Sequence, residues 1–281
     1  MRRVVPIALT IAGSDPSGGA GLQADLKTFQ QHGVYGASVV TLLTAQNTQR
    51  VSRVASMPPE LVRAQLQSVL EDLSPQAIKT GALGSSAIVR VVAEALMEAL
   101  RRDSSAPTIV DPVMVSKHGH LLLEPDAVDA CLEDLFPLAS LLTPNVPEAE
   151  HLLSLSPGEP VRIETEKDAE EAALLLARRL GVPVLLKGGH LAGTARDTSL
   201  DLLASGGTIT RYSGPRVDTV HTHGTGCTYA AAIAAWMARG RSLQDAIGTS
   251  KAWLARAIAN GPAVGQGIGP VDHLEPLDPR P

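Results

Sequence analysis

The sequence predicts an α/β fold, a mainly parallel sheet with helices on both faces, and three observations predict it. Short β-branched or apolar runs alternate with longer helical patterns along nearly the whole chain. No linker divides the 281 residues, so residues 1–281 are expected to form one domain. Six of the expected strands end in small or polar residues, where a parallel sheet binds its ligands.

The alternation begins with the strand IALTIAG (7–13) and the helix LQADLKTFQQHG (22–33). The strand ASVVTLLTA (37–45) and the helix PELVRAQLQSVLEDL (59–73) follow, then QAIKTGAL (76–83) and AIVRVVAEALMEALRR (87–102). TIVDPVM (108–114) and SLLTPN (140–145) are apolar runs that end polar, and VPEAEHLLSL (146–155) starts a helix after the second. EKDAEEAALLLARRLG (166–181) has helical period and leads into the strand VPVLLKGGH (182–190). Between about 190 and 220 the pattern becomes hairpin-like, suited to a sheet edge. Two helices near 225–239 and 243–259 close the domain, each stopping at or before a glycine, Gly240 or Gly261. The Pro- and Gly-rich end from 261 onward reads as part structured loop and part frayed terminus.

Composition excludes several function classes. Hydrophobic residues make up 44% and charged ones 19%, so the chain can bury a core and general disorder is excluded. A net charge of -5, with two Trp, three Tyr and two Phe, offers neither a basic field nor a stacking platform for nucleic acid. No run reaches the roughly 20 apolar residues of a membrane span. The start MRRVVPIALTIAG imitates a signal peptide, but Pro6 interrupts it and the run leads straight into a motif-like loop. With only Cys131 and Cys227, a reducing cytoplasm is the expected location.

The strand ends deliver Gly13-Ser14-Asp15, Thr44 with Gln46, Gly81-Ala82, Asp111, Asn145 and Lys187-Gly188-Gly189-His190 to one edge. One large polar site is expected there. The cluster GSDPSGGAG (13–21) is neither a Walker A loop nor a dinucleotide fingerprint, and taken alone it is equally a tight strand-to-helix turn. Anion binding is expected instead where Gly224, Thr225, Gly226 and Cys227 open an alanine-rich helix, because first-turn N–H groups and the helix dipole gather negative charge. The same helix end should draw the Cys227 thiol from about 8.5 toward neutrality, making it a candidate base. A plain helix start with a small buried thiol is the alternative. His221, His223 and Cys227, with His118 and His120, lack zinc-type spacing. Lys187 arrives at a strand end after apolar residues, which suits a phosphate contact better than a rim charge. Asn145 and Glu148 suit a water-rich Mg²⁺ site, and equally a capping box on the helix they begin.

The segments ALTIAGSDPSGGAGLQADLKTFQQHGVYGASVVTLLTAQNT, DPVMVSKHG, LLTPNVPEAE, VLLKGGH, HTHGTGCTYAAAIAAW and GIGPVDH resemble the hydroxymethylpyrimidine/phosphomethylpyrimidine kinases of the ribokinase-like superfamily, over about residues 7–273. The resemblance implies a ribokinase-like three-layer α/β/α fold with a small edge β-hairpin region. It implies an ATP- and Mg²⁺-dependent kinase of thiamine biosynthesis acting on 4-amino-5-hydroxymethyl-2-methylpyrimidine and its monophosphate, in a homodimer. Gly13, Ala20, Asp25, Thr44, Gln46 and Ala82 would line the pyrimidine pocket, with Asp25 and Gln46 at the amino group and ring nitrogens. Asp111, Asn145 and Glu148 would serve phosphates and metal, Lys187 the ATP phosphates, and Gly224 to Cys227 the anion hole with Cys227 as base. Two positions depart from the pattern: Ala82 where Met is frequent, and Thr44 where valine is frequent. The alternatives are a pyridoxal/pyridoxine kinase, whose substrate also carries a hydroxymethyl group on a methylated nitrogen ring, and a non-catalytic sensor of pyrimidine or nucleotide.

Overall fold

The computed structural model describes residues 4–101, 106–116, 119–155, 161–189, 191 and 197–277, and these build a single nine-stranded sheet. Strands β1 (Ile7–Ser14) and β2 (Tyr35–Gln46) pair in parallel, and β3 (Val51–Ser56) runs antiparallel along β2 at one edge. β4 (Ala77–Thr80), β5 (Thr108–Val110), β6 (Leu141–Leu142) and β7 (Val184–Lys187) continue the parallel array on the other side of β1. The hairpin β8 (Thr198–Ser205) and β9 (Thr208–Pro215) forms the second, antiparallel edge.

Alternation along the central strands sets the layers, because neighbouring side chains leave a strand on opposite faces. Ala8, Ala77, Ile109, Leu141 and Leu185 enter a core shared with α1 (Gly21–Gln31), α7 (Thr225–Ala238) and α8 (Leu243–Ala259). Leu9, Ile11, Ile78, Val110, Leu142 and Leu186 enter the other core. There they meet α2 (Pro59–Asp72), α3 (Ser86–Arg101), α4 (Ala127–Ala130), α5 (Val146–Ser154) and α6 (Glu166–Leu180). The three-layer α/β/α expectation is met. Helix α7 is apolar on every side, since the sheet, α1 and α8 enclose it and its alanines let them approach closely.

Strand β3, the short helix α4 and the turns that follow it escaped the sequence reading. β3 leaves five of its six residues exposed, so it carries no apolar signal, and it exists through its ladder to β2. The stretch after α4 continues as one π-helical turn (Cys131–Leu135) and one 3₁₀ turn (Phe136–Leu138), too irregular for a 3.6-residue pattern. His118 and His190 lie outside the described residues, as do residues 278–281 of the C-terminal segment.

Strand order places the site. From β1 the chain crosses to β2 on one side, whereas β4 lies on the other, so a crevice opens above the C-terminal ends of β1 and β4.

Candidate active site

A cavity of about 870 Å³ occupies that crevice. Gly13, Ala20, Thr44, Gln46 and Ala82 line one end. Asp111, Asn145, Glu148 and Lys187 line another stretch of its wall, together with Gly224, Thr225, Gly226 and Cys227. Of the residues that the family resemblance assigns to the site, all but Asp25 line the cavity, whereas Gly81, Gly188 and Gly189, which also end strands, do not.

The anion site is built by two glycines and a lysine. Gly224 caps α7 at φ 73°, and a Cβ there would overlap the Gly19 carbonyl oxygen, so only glycine lets the two loops meet. A Cβ on Gly226 would stand 3.4 Å from Lys187 Nζ and 3.6 Å from Asp111 Oδ2. The first turn of α7 thus faces the lysine across a gap that a side chain would fill. Lys187 Nζ donates to Asp111 Oδ1 at 2.8 Å, and Asp111 also accepts from Thr143 Oγ1 at 3.1 Å. Burial opposes the charge on Lys187, but Asp111 and Glu148 outweigh it and hold the ammonium pKa above its usual value. The lysine is cationic at every working pH.

Cys227 departs from expectation. Burial pushes its thiol up to about 11, and the Lys79 ammonium and a Gly21 backbone hydrogen bond only partly oppose this. The expected fall toward neutrality is corrected: at neutral pH the resting side chain is a thiol. Cys131 is pushed up by burial to about 12, and both cysteines are free. A folded pKa above the unfolded value favours the fold below the unfolded value and loses that contribution as pH rises toward the folded one. Urea unfolding should therefore show stability falling from about pH 8.5 to 10.5, with Cys131 alone contributing about 2 kcal/mol of the loss. Cys131→Ala should flatten that slope, and an unchanged slope would contradict the assignment.

Asp25 is the second correction. Its side chain is fully buried behind the cavity wall, where Oδ2 accepts from Lys79 Nζ at 2.8 Å and from Thr10 Oγ1 at 2.6 Å. A heterocycle in the cavity meets Lys79, which lines it, before it meets Asp25. Lys79 is a site residue the sequence reading missed, hidden inside the short strand β4 as an apparent polar interruption. Burial raises the Asp25 pKa although Lys79 opposes this, while Asp25, Cys227 and Asp111 raise that of Lys79 against its burial.

The capping-box alternative at α5 is present. Asn145 Oδ1 accepts from the Glu148 N–H at 2.9 Å, and Glu148 Oε2 accepts from the Asn145 N–H at 2.8 Å. Asn145 Oδ1 is thereby engaged by the backbone, which leaves its Nδ2 as the group to donate to a ligand. Glu148 is buried, and that burial pushes its carboxyl up to about 7 despite Lys187. Among the described residues no group of three His, Cys, Asp or Glu is placed to cage a metal, so the histidine–cysteine reading gains no support.

The two glycine-rich loops, 13–21 and 221–227, are tied at His223, which sequence spacing offers only as a weak metal ligand. Its Nε2 lies 2.7 Å from Asp15 Oδ2, and the amide of Gln46 lies 3.2 Å from the same nitrogen. The backbone of residue 223 donates to the Gly269 carbonyl at 3.1 Å, so the C-terminal segment is ordered against the site.

The chain is similar to proteins of known family. The family model described as phosphomethylpyrimidine kinase matches residues 15–272. A hydroxymethylpyrimidine/phosphomethylpyrimidine kinase of Streptomyces coelicolor is 44% identical, over 95% of this chain and 94% of its own length. The ADP complex of Bacillus subtilis pyridoxal kinase superposes with a TM-score of 0.84 at 34% identity, covering 97% of this chain and 98% of that one. The phosphomethylpyrimidine kinase of Clostridium difficile gives 0.74 at 37% identity, covering 90% and 99%. By its matched length and these identities, this chain belongs to the phosphomethylpyrimidine kinase family.

Proposed function

We propose that the protein transfers the γ-phosphoryl group of ATP to the hydroxymethyl oxygen of 4-amino-5-hydroxymethyl-2-methylpyrimidine, and then phosphorylates the monophosphate to the diphosphate, for thiamine biosynthesis. The observation that carries this reading is the union, in one cavity, of a small-walled pocket at Gly13, Ala20 and Ala82 with the anion site at Lys187 and Gly224 to Cys227. The volume suits a heterocycle together with the phosphates of a second substrate.

Phosphoryl transfer asks mainly for alignment and charge stabilisation. The hydroxymethyl oxygen forms the new P–O bond as the bond from γ-phosphorus to the β,γ-bridging oxygen breaks, ADP leaves, and the hydroxyl proton is released to solvent. The first-turn N–H groups of α7 and the Lys187 ammonium stabilise the charge spread over the transferring group. With Cys227 a thiol at rest, these donors carry more of the rate than a base does. Cys227→Ser should therefore lose less than about tenfold in kcat, the lower bound of a positioned base being about 10². A loss above 10² with unchanged stability would restore the base role.

The acidic wall fits Mg²⁺, which keeps most of its waters and takes one or two carboxylates along with phosphate oxygens. Glu148 and Asp111 would hold it, and it would neutralise charge on the β- and γ-phosphates. Because Glu148 takes up a proton near 7, cation and proton compete for it. The Mg²⁺ concentration giving half-maximal ADP release should rise as pH falls from 8 to 6, approaching about tenfold per unit at the acid end. Glu148→Gln should remove that dependence.

The Bacillus subtilis neighbour supports a second reading, pyridoxal phosphorylation in the same cavity. Comparing kcat/KM for the pyrimidine and for pyridoxal decides between them: the proposal expects the pyrimidine to win. A mixture with ATP that released no ADP from either would favour a non-catalytic sensor.

A further inference from the structure

The hydrogen bonds around Gln46 contain two conflicts that one rotation removes. His223 Nε2 lies 2.7 Å from a carboxylate oxygen of Asp15, so it must carry its proton toward that oxygen. The ring nitrogen has one valence to offer, and a nitrogen donating to Asp15 has no lone pair left for the Gln46 amide N–H that lies 3.2 Å away. On the other side, Thr44 Oγ1 lies 3.0 Å from the Ser14 carbonyl and 3.2 Å from Gln46 Oε1, two acceptors for one hydroxyl proton. Turning the terminal amide by half a revolution puts Oε1 against the His223 N–H and Nε2 against the Thr44 oxygen. The His223 N–H is then shared between Asp15 Oδ2 and Gln46 Oε1, and Thr44 Oγ1 gives its proton to the Ser14 carbonyl while accepting from the amide.

We propose that Asp15 and His223 are positioning residues that fix the Gln46 amide with its oxygen toward the 221–227 loop, and so set which heterocycle edge, and which orientation of it, the enzyme accepts. Asp15 is itself held: Oδ1 accepts from the Ser17 N–H at 2.9 Å and Oδ2 from the Ala20 N–H at 2.9 Å. Hydrogen bonds from His223 and Ser17 outweigh its burial and hold it below the usual carboxylate range. The imidazole lies so close to Gly19 that a Cβ there would stand 2.5 Å from His223 Cδ2. The loop is shaped to receive this ring.

The consequence for substrate follows from the order of groups on the ring, and it rests on the function proposed above. The fixed amide offers an acceptor on the His223 side and a donor on the Thr44 side. An aminopyrimidine edge offers the complement, an exocyclic N–H beside a ring nitrogen lone pair, and matches it with the amino group toward His223. The hydroxymethyl carbon stands on the far side of the amino group from that ring nitrogen. This orientation therefore carries the hydroxyl toward the loop that leads to Cys227, whereas the opposite amide would carry it away. A 4-oxo analogue, with acceptor and donor exchanged, is the mismatched partner.

Two measurements test this. ¹⁵N NMR of the ligand-free protein should show His223 Nε2 protonated from pH 6 to 9; an unprotonated Nε2 would overturn the proposal without involving substrate. In steady-state kinetics, Asp15→Asn and His223→Ala should each lower the preference for the 4-amino substrate over its 4-oxo analogue by about 10- to 100-fold, the weight of one mispaired buried hydrogen bond. The KM for ATP should stay put. Should Asp15→Asn fail to fold, His223→Ala carries the comparison. A preference equal to wild type in a folded variant overturns the inference, whereas a wild-type protein that phosphorylates neither pyrimidine overturns the proposed function instead.

Discussion

Lys187→Ala is expected to lower kcat/KM for ATP by about 10²–10³, the loss seen when a preorganised donor is removed from a developing charge. Both parts should move, with KM for ATP rising and kcat falling, because the ammonium meets phosphate before and during transfer. Pyrimidine binding, read by calorimetry without nucleotide, should remain near wild type, since the heterocycle is proposed to lie against Gln46 and Thr44, at the end of β2 and not of β7. The variant also strips buried Asp111 of its cation. Thermal unfolding should accompany the kinetics, and equal losses of ATP and pyrimidine affinity would make Lys187 a structural residue only.

The second large effect is on stability. Lys79 and Asp25 form an ion pair with both side chains fully buried, and among the described residues Lys79 is the cation paired with the Asp25 carboxylate. Lys79→Met leaves a carboxyl that must be buried unpaired or protonated on folding, a loss of about 3–5 kcal/mol. Replacing both partners, as Asp25→Leu with Lys79→Met, should recover most of that loss, since an apolar pair avoids the desolvation of two charges. Activity supplies a second readout. The double variant should stay slow if the Lys79 charge is used at the cavity wall, where it also lies near Cys227. A single variant within about 1 kcal/mol of wild type would remove the pair from any part in the fold.

The sequence exposed the layers because buried parallel strands and amphipathic helices write different periods, and residues 7 to 101 follow them almost element for element. It exposed most of the cavity for a topological reason, that strand ends converge whatever their chemistry. What it concealed depended on third partners. The Cys227 thiol sits at a helix N-terminus, which sequence shows, but it is also half-buried in the cavity wall, which sequence does not show, and that desolvation dominates. Asp25 lies on the motif-bearing helix α1, yet its period turns it inward to Lys79, 54 residues away. His223 and Asp15 are separated by 208 residues, and no spacing rule joins them. β3 is invisible for the opposite reason, since its surface is polar and only its backbone is committed.

The central claim is that this one cavity holds the pyrimidine alcohol and, after one turnover, its phosphate as the next acceptor. Its most direct test is ³¹P NMR of a mixture of purified protein, Mg-ATP and 4-amino-5-hydroxymethyl-2-methylpyrimidine. The account predicts a monophosphate resonance that rises and then gives way to the two coupled resonances of the diphosphate, with ADP accumulating at two equivalents per pyrimidine consumed. ATP left intact beside the pyrimidine, while pyridoxal in its place is phosphorylated, would contradict it.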